Sequence, residues 1–177
     1  DWWDTALPGI VVRNGTLVVA QRRDVPDLQR FASRTRGHHW LGEDAINQAE
    51  PALAGRFAQA LLFADEAHLD PRAALRRLYQ ALRTGGVSFR FREEAPPPVG
   101  VYEAIIDCSG PAAIEWLPEL RGVRGEMLYL QTSDVSLSRP VRLLHPRHPI
   151  YLVPRGEGLF MLGATMIESA DDGPISA

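Results

Sequence analysis

The segment Ile105-Ile-Asp-Cys-Ser-Gly110 carries residue types that could meet a cofactor. Small residues at the end of a strand, just before a helix, expose backbone N–H groups and let a phosphate-bearing molecule approach closely. A tight strand-to-helix turn without a ligand has the same composition, so both interpretations stay open. Cys108 lies in this turn, but no histidine or carboxylate has a sequence relation that would activate its thiol. We therefore do not expect a nucleophilic cysteine.

The five histidines do not follow a metal-binding pattern. His38 and His39 are adjacent and point in different directions on regular structure, while His145 and His148 lie in a proline-containing loop. No HxxxH, HxH or Cys–His spacing is present, and neither is a GxGxxG or a GxxxxGKS/T sequence. The sequence therefore predicts no metal site, and no dinucleotide or P-loop site within this chain.

Residues 149–166 predict a β-hairpin, because two apolar runs flank the connector Arg155-Gly-Glu-Gly158. Period-two alternation gives the first strand two faces, with Tyr151, Val153 and Arg155 on one and Ile150, Leu152 and Pro154 on the other. On the return strand, Gly163, Ala164 and Thr165 precede Met166. A glycine inside a strand indicates a bulge, or a close approach by a ligand or by another backbone.

A second candidate contact surface is Arg124-Gly-Glu126, at the start of a predicted strand. Gly125 would let a planar ring approach the backbone, and Arg124 and Glu126 would supply polar contacts. A strand start with solvated charges explains the same residues equally well.

The elements that must position these residues mix helices and strands. Strands are predicted over residues 16–20, 87–91, 102–107, 123–132 and 141–144, and residues 57–63 are ambiguous between helix and strand. Helices are predicted over 25–35, over 44–49 with Asp44 as N-cap, and after Asp70-Pro71, with a short one ending at Trp116. The apolar stripe of the helix after Asp70 consists of Leu75, Leu78, Tyr79 and Leu82. The fold class is therefore predicted to be α+β (mixed α/β), with an antiparallel-rich sheet and flanking helices.

Composition restricts the class of protein. The 177 residues carry a net charge of −3, which gives no basic field for nucleic acid, and no apolar run is long enough for a membrane span. The single cysteine is compatible with a reducing compartment, so we expect a cytoplasmic protein. Both termini resemble cuts through a longer polypeptide, and the proline-rich linker 95–100 is expected to be short and stiff.

Several segments, in order, resemble the flavin-dependent amino-acid oxidase family, which includes glycine oxidase of thiamine biosynthesis, D-amino-acid oxidase and sarcosine oxidase. The segments that carry the resemblance are Gly15–Ala20, His68-Leu-Asp-Pro-Arg72, Ile105–Gly110, Val123-Arg-Gly-Glu126, Tyr151-Leu-Val-Pro-Arg155 and Gly163-Ala-Thr-Met166. The order and spacing agree most closely with glycine oxidase.

The resemblance implies a two-domain flavoprotein of which this chain is the central part. Residues 1–100 and 118–177 would form the substrate domain, and residues 101–117 would be a strand, turn and helix of the FAD-binding domain. The N-terminal GxGxxG of the family and its C-terminal segment, with the arginine that binds the substrate carboxylate, are not in this sequence. The isolated chain is therefore expected to be inactive.

The resemblance also implies roles for individual residues. Tyr151 and Met166 would bind the substrate, and the cofactor FAD would contact Ser109, Gly110, Arg124, Gly125 and Glu126. Pro149 lies near the place where some relatives carry a histidine.

The implied reaction is hydride transfer from a small amino acid or amine, such as glycine, sarcosine or a D-amino acid, to the flavin, with O₂ or a quinone as acceptor. No catalytic dyad is needed, and a homo-oligomer is compatible with the family. The alternative is a non-catalytic binding or interaction module that keeps the same domain.

Overall fold

The computed structural model describes residues 2–93 and 100–175. The predicted linker 95–100 therefore lies outside the described residues, apart from Gly100. No helix in the described part has the length and hydropathy to cross a membrane.

One mixed sheet of seven strands organises the chain. Its strands are β1 (Thr16–Ala20), β2 (His39–Gly42), β3 (Gln59–Phe63), β4 (Leu128–Gln131), β5 (Val141–Leu144), β6 (Ile150–Pro154) and β7 (Leu159–Gly163). Their order is β2-β3-β1-β5-β6-β7-β4, and only the β1–β5 pair is parallel. The predicted α+β class with an antiparallel-rich sheet is confirmed, and strands from both ends of the sequence share the sheet.

A helix covers each face of the sheet around β1. The helix α2 (Val25–Arg34) places Leu28 and Ala32 in a cluster with Val18 and Leu61. The helix α3 (Glu43–Ala49) places Ile46 on the opposite face, in a cluster with Leu17 and Val19. Because successive side chains of β1 point to opposite faces, its apolar run is buried on both.

The long helix α4 (Pro71–Thr84) starts where the sequence predicts. The Asp70 side chain accepts hydrogen bonds from the N–H of Arg72 (2.8 Å) and of Ala73 (3.2 Å). Burial acts to raise the pKa of the Asp70 carboxyl, but these two bonds and nearby arginines outweigh it and hold the pKa below its usual value. The helix packs through Ala74 on the segment after α1 (Trp2–Ala6). The guanidinium of Arg72 lies 4.4 Å above the Tyr129 ring, which joins α4 to β4.

The predicted apolar stripe of α4 is only partly correct. Leu78 packs in the cluster with α1, whereas Leu75 is 68% exposed and the small Ala74 is buried in its place. The predicted N-cap of α3 is wrong, since the helix begins at Glu43, one residue before Asp44, and the capping position is Gly42. The ambiguous segment 57–63 forms β3, which pairs with β1 and β2.

Two predicted strands, 87–91 and 102–107, are irregular in the structure. Neither is paired with a strand of the described sheet, and a strand is stable only when its backbone groups have hydrogen-bonding neighbours. Ile105 and Ile106 are 53% and 86% exposed instead of buried. The short helix predicted to end at Trp116 is a 3₁₀ helix over Gly110–Glu115. The predicted strand 123–132 contributes only β4 and an isolated bridge between Arg124 and Ile167.

Candidate functional site

Tyr151 sits at the start of β6, beside the last residue of β7. It is paired with Gly163, and a Cβ atom at Gly163 would lie 2.5 Å from Tyr151 Cζ and 2.6 Å from its hydroxyl oxygen. Only glycine leaves room for the ring there. The group that approaches Gly163 is therefore the Tyr151 side chain, whereas the sequence predicts a ligand, another backbone or a bulge.

The Tyr151 hydroxyl has a weak partner, since it donates to Met127 Sδ at 3.7 Å. Extending the register of β4 and β7 by one residue places Met127 opposite Gly163. Met127 and Tyr151 thus flank a glycine on the same face and meet across it.

Arg124 and Glu126 form a buried ion pair rather than a strand start with solvated charges. Their side chains are 13% and 11% exposed, and Arg124 Nη2 lies 2.9 Å from Glu126 Oε1. The guanidinium also donates to the carbonyls of Asp171 (3.2 Å), Gly173 (3.0 Å) and Pro174. It lies 3.2 Å from the Asp171 carboxylate as well. Arg124 therefore holds the segment 171–174, which follows Met166, through hydrogen bonds.

Backbone bonds bring Met166 next to Gly125. The N–H of Glu126 donates to Thr165 Oγ1 at 2.8 Å, and the N–H of Thr165 donates to the Glu126 carbonyl at 3.2 Å. Met166 follows and is 87% exposed. A Cβ added to Gly125 would meet only the Thr165 carbonyl, at 3.6 Å. We call residues 124–127, Tyr151 and residues 163–166 the Tyr151 corner.

Ser109 and Gly110 lie in a separate, exposed turn. The N–H of Ser109 donates to Asp107 Oδ1 at 2.8 Å, and Gly110 has a φ of +62° with open space around it. Hydrogen bonds from the side chain and backbone of Ser109 lower the pKa of the Asp107 carboxyl. Cys108 is a free, exposed thiol. Among the described residues, no hydrogen bond joins Ser109 or Gly110 to Tyr151.

The residues of the Tyr151 corner suit the planar ring of a flavin. Met127 is 44% exposed and contacts the tyrosine hydroxyl, and Met166 is 87% exposed, so the corner presents apolar side chains. The open space at Gly125 lets a ring approach the backbone there. The turn at Ser109 suits a ribose better than a phosphate, because the ionised Asp107 accepts hydroxyl hydrogens and repels anions.

Sequence reasoning missed Met127 and Thr165 as parts of the site. The sequence feature that could have identified Met127 is its position two residues before Tyr129, because residues two apart lie on the same face of a strand. The role of Thr165 had no sequence signal, because its hydroxyl bonds across to Glu126, 39 residues away.

His145 and His148 contact each other and the loop between them. His145 and His148 stack with ring centroids 5.5 Å apart, and His145 Nδ1 accepts from the N–H of Arg147 at 3.2 Å. No group of three or more His, Cys, Asp or Glu side chains in residues 2–93 and 100–175 could hold a metal ion.

Comparisons with known proteins extend this description. A family model described as FAD dependent oxidoreductase matches residues 1–177. A protein of Rhizobium etli, named as the thiamine biosynthesis oxidoreductase ThiO, is 57% identical over 177 residues, which cover all of this chain and 54% of that protein.

Two solved structures share the fold. Glycine oxidase from Geobacillus kaustophilus superposes with a TM-score of 0.71 at 19% identity, over 95% of this chain and 51% of that one. Iminodiacetate oxidase from Chelativorans sp. BNC1 gives a TM-score of 0.63 at 23% identity, over 94% and 52%. The chain thus spans about half the length of these relatives.

Proposed function

This chain belongs to the family of FAD dependent oxidoreductases, and on that premise we propose that the protein oxidises a small amino acid or amine, such as glycine, sarcosine or a D-amino acid. The observation that carries the proposal is the Tyr151 corner. There the tyrosine hydroxyl donates to the sulfur of the partly exposed Met127, and Gly125, two residues before Met127, has open space at its backbone.

Tyr151 would bind the carboxylate of the substrate. A thioether sulfur is a weak acceptor. When the Tyr151 hydroxyl donates to a substrate carboxylate instead of to Met127 Sδ, it forms a stronger, charge-assisted hydrogen bond. Gly163 leaves the room in which the ring packs against the neighbouring backbone. Tyr151 would therefore orient the substrate.

Met166 and Met127 would limit the size of the substrate. Methionine side chains are flexible and apolar, so they can close around a small molecule and exclude water from it. Met166 is 87% exposed and thus free to adjust. A small pocket favours glycine, sarcosine and small D-amino acids over bulky ones.

Three residues before Met127 would support the cofactor. Gly125 would lie against the flavin ring, because a side chain there would keep the ring away from the backbone. Arg124 and Glu126 would hold Gly125 in place through their ion pair and through the bonds to Thr165. At the other candidate surface, Ser109 and Gly110 would contact the ADP part of FAD, with Asp107 beside its ribose hydroxyls.

Bound FAD supplies the acceptor for the hydride removed from the α-carbon of the substrate, and O₂ or a quinone would reoxidise it. The residues of this chain would bind, orient and desolvate the amino acid. A general base from the protein is not required for such a transfer.

The experiment that tests this proposal uses the longer protein that contains this chain. We expect the purified protein to show a flavin spectrum and to oxidise small amino acids in a substrate panel, read out by peroxide release and by a dye acceptor. Glycine, sarcosine and D-alanine should be turned over faster than D-phenylalanine. A flavin-loaded protein that oxidises none of the small substrates with either acceptor would refute the proposal.

A binding or interaction module is the second candidate. It is favoured by exposed apolar side chains outside the Tyr151 corner, among them Leu75, Ile106 and Trp116, at 68%, 86% and 56% exposure. A longer protein that binds no FAD but captures a partner through this surface would support the module.

A further inference from the structure

A pocket lies at the other end of β6 from the Tyr151 corner. Its volume is about 390 Å³, and its polar lining consists of Asn14, His68, Asp70, Ser138 and Arg155. Four residues of extended chain separate Tyr151 from Arg155, which corresponds to about 13 Å. We call it the Arg155 pocket, and it has no part in the function proposed above.

Three of the side chains that line this pocket carry unpaired polar atoms. Among the described residues, the buried side-chain atoms without a hydrogen-bond partner include Asn14 Oδ1, both ring nitrogens of His68, and Arg155 Nε. Buried polar atoms in native proteins are nearly always paired, and an unpaired one calls for a water, an ion or a ligand. Here four such atoms belong to three side chains of one pocket.

Neighbouring bonds hold these side chains in position. Arg155 Nη1 donates to the Leu69 carbonyl at 2.7 Å, which fixes one end of the guanidinium. Asn14 Nδ2 donates to the Ser138 carbonyl, so its Oδ1 remains as an acceptor. The backbone of His68 is paired with that of Val12 in both directions. These bonds fix the Asn14 amide, one end of the Arg155 guanidinium and the backbone that carries the His68 ring.

The chemistry of the walls selects the ligand. Arg155 supplies a positive charge and an N–H donor. Burial and the charge of Arg155 lower the pKa of the His68 imidazole, so its neutral ring offers one donor and one acceptor. Asn14 Oδ1 adds an acceptor, and the Asp70 carboxylate, bound to two backbone N–H groups, adds a negative charge at the same pocket. A matching molecule carries an anionic group and, close to it, a hydrogen-bond donor.

We propose that the Arg155 pocket binds a small carboxylate that also carries a hydrogen-bond donor, such as a short hydroxy acid or a zwitterionic amino acid. The carboxylate lies against Arg155 Nε and the donor nitrogen of His68, and the hydroxyl or ammonium group lies against Asn14 Oδ1. A pocket of this volume is at the small end of the range for ligand sites, which excludes large ligands. The ligand thereby pairs atoms that the fold leaves unpaired.

The test is an NMR titration of the longer, flavin-loaded protein with glycolate, observing the ring proton of His68, which is assigned with the variant His68→Asn. We expect a saturable shift of this resonance and a higher pKa of His68 in the complex, because the carboxylate favours the imidazolium. Sodium chloride at equal ionic strength should not reproduce the shift. The variant Tyr151→Phe should retain it, which separates this pocket from the Tyr151 corner.

Two variants and one control decide the outcome. Arg155→Gln should abolish saturation. Val12→Glu, at a pocket-lining side chain that is 44% exposed, should weaken binding about tenfold through one added like charge. The control Val87→Glu, at 46% exposure and outside the pocket, should bind as the wild type does.

If Arg155→Gln does not fold, Val12→Glu and its control still decide the matter. A saturable shift that Val12→Glu leaves unchanged would overturn the proposal. The absence of saturation in the wild type would do the same, and would mean that the pocket holds water only.

Discussion

Tyr151 shows what a single residue reveals before its neighbours are known. Alternation predicts that it shares a face with Val153 and Arg155, since successive side chains of a strand point to opposite sides. The contact with Met127 depends on the pairing of β6, β7 and the start of β4, which periodicity does not contain. Gly163 was predicted to allow a close approach, and the structure identifies the tyrosine ring as the group that approaches.

The residue that most directly probes the cofactor is Gly125. In Gly125→Ala the new Cβ meets only the Thr165 carbonyl at 3.6 Å, an ordinary contact, so the melting temperature should stay close to that of the wild type. The affinity for FAD should fall, because the methyl group keeps the ring from the backbone. Reconstitution of the apoprotein, followed by flavin fluorescence, measures this.

Gly42→Ala is the matched control. That glycine has a φ of −84° and open space around it, and it lies outside the Tyr151 corner, so alanine should alter neither property. An unchanged FAD affinity in Gly125→Ala would remove Gly125 from the cofactor contact.

At the scale of elements, local patterns predict well where the partner is near in sequence. The start of α4 is predicted by Asp70 and Pro71, because an N-cap and a first-turn proline act on neighbouring residues. The strand β1 is predicted by its own apolar run. Residues 87–91 and 102–107 have the composition of strands and form none in the described sheet, since a strand needs a neighbour that composition does not supply. The untested assignment of residues 101–117 to an FAD-binding domain stays a prediction.

Arg124, which is paired with Glu126, contacts the segment 171–174 and holds it beside the Tyr151 corner. Arg124→Gln should lower the free energy of unfolding by about 2 kcal/mol, because it removes the positive charge next to a largely buried carboxylate. Urea denaturation of the longer protein measures the change.

Arg121→Gln serves as the comparison, since Arg121 and Glu168 form an exposed pair whose side chains are 78% and 67% accessible. That substitution should change stability by less than about 1 kcal/mol. Equal effects at the two positions would mean that Arg124 has no special structural role.

For the whole molecule, the family is predictable from the order of short segments spread along the chain, whereas the combination of seven strands into one sheet is not. The chain spans about half the length of its relatives, and its sequence contains no GxGxxG. We therefore expect residues 1–177, expressed alone, to bind FAD far more weakly than the longer protein, since the phosphate contacts at a helix N-terminus are missing. Stoichiometric flavin retained by the isolated chain after gel filtration would contradict this.

The central claim is that the Tyr151 hydroxyl binds the substrate carboxylate, and anaerobic reduction of the bound flavin by glycine tests it most directly. Tyr151→Phe in the longer protein should leave the flavin spectrum unchanged and raise the apparent Kd for glycine about tenfold or more, the loss of one hydrogen bond to a charged group. Tyr129→Phe, on the same face of the sheet, should match the wild type. An unchanged Kd for glycine in Tyr151→Phe would contradict the account.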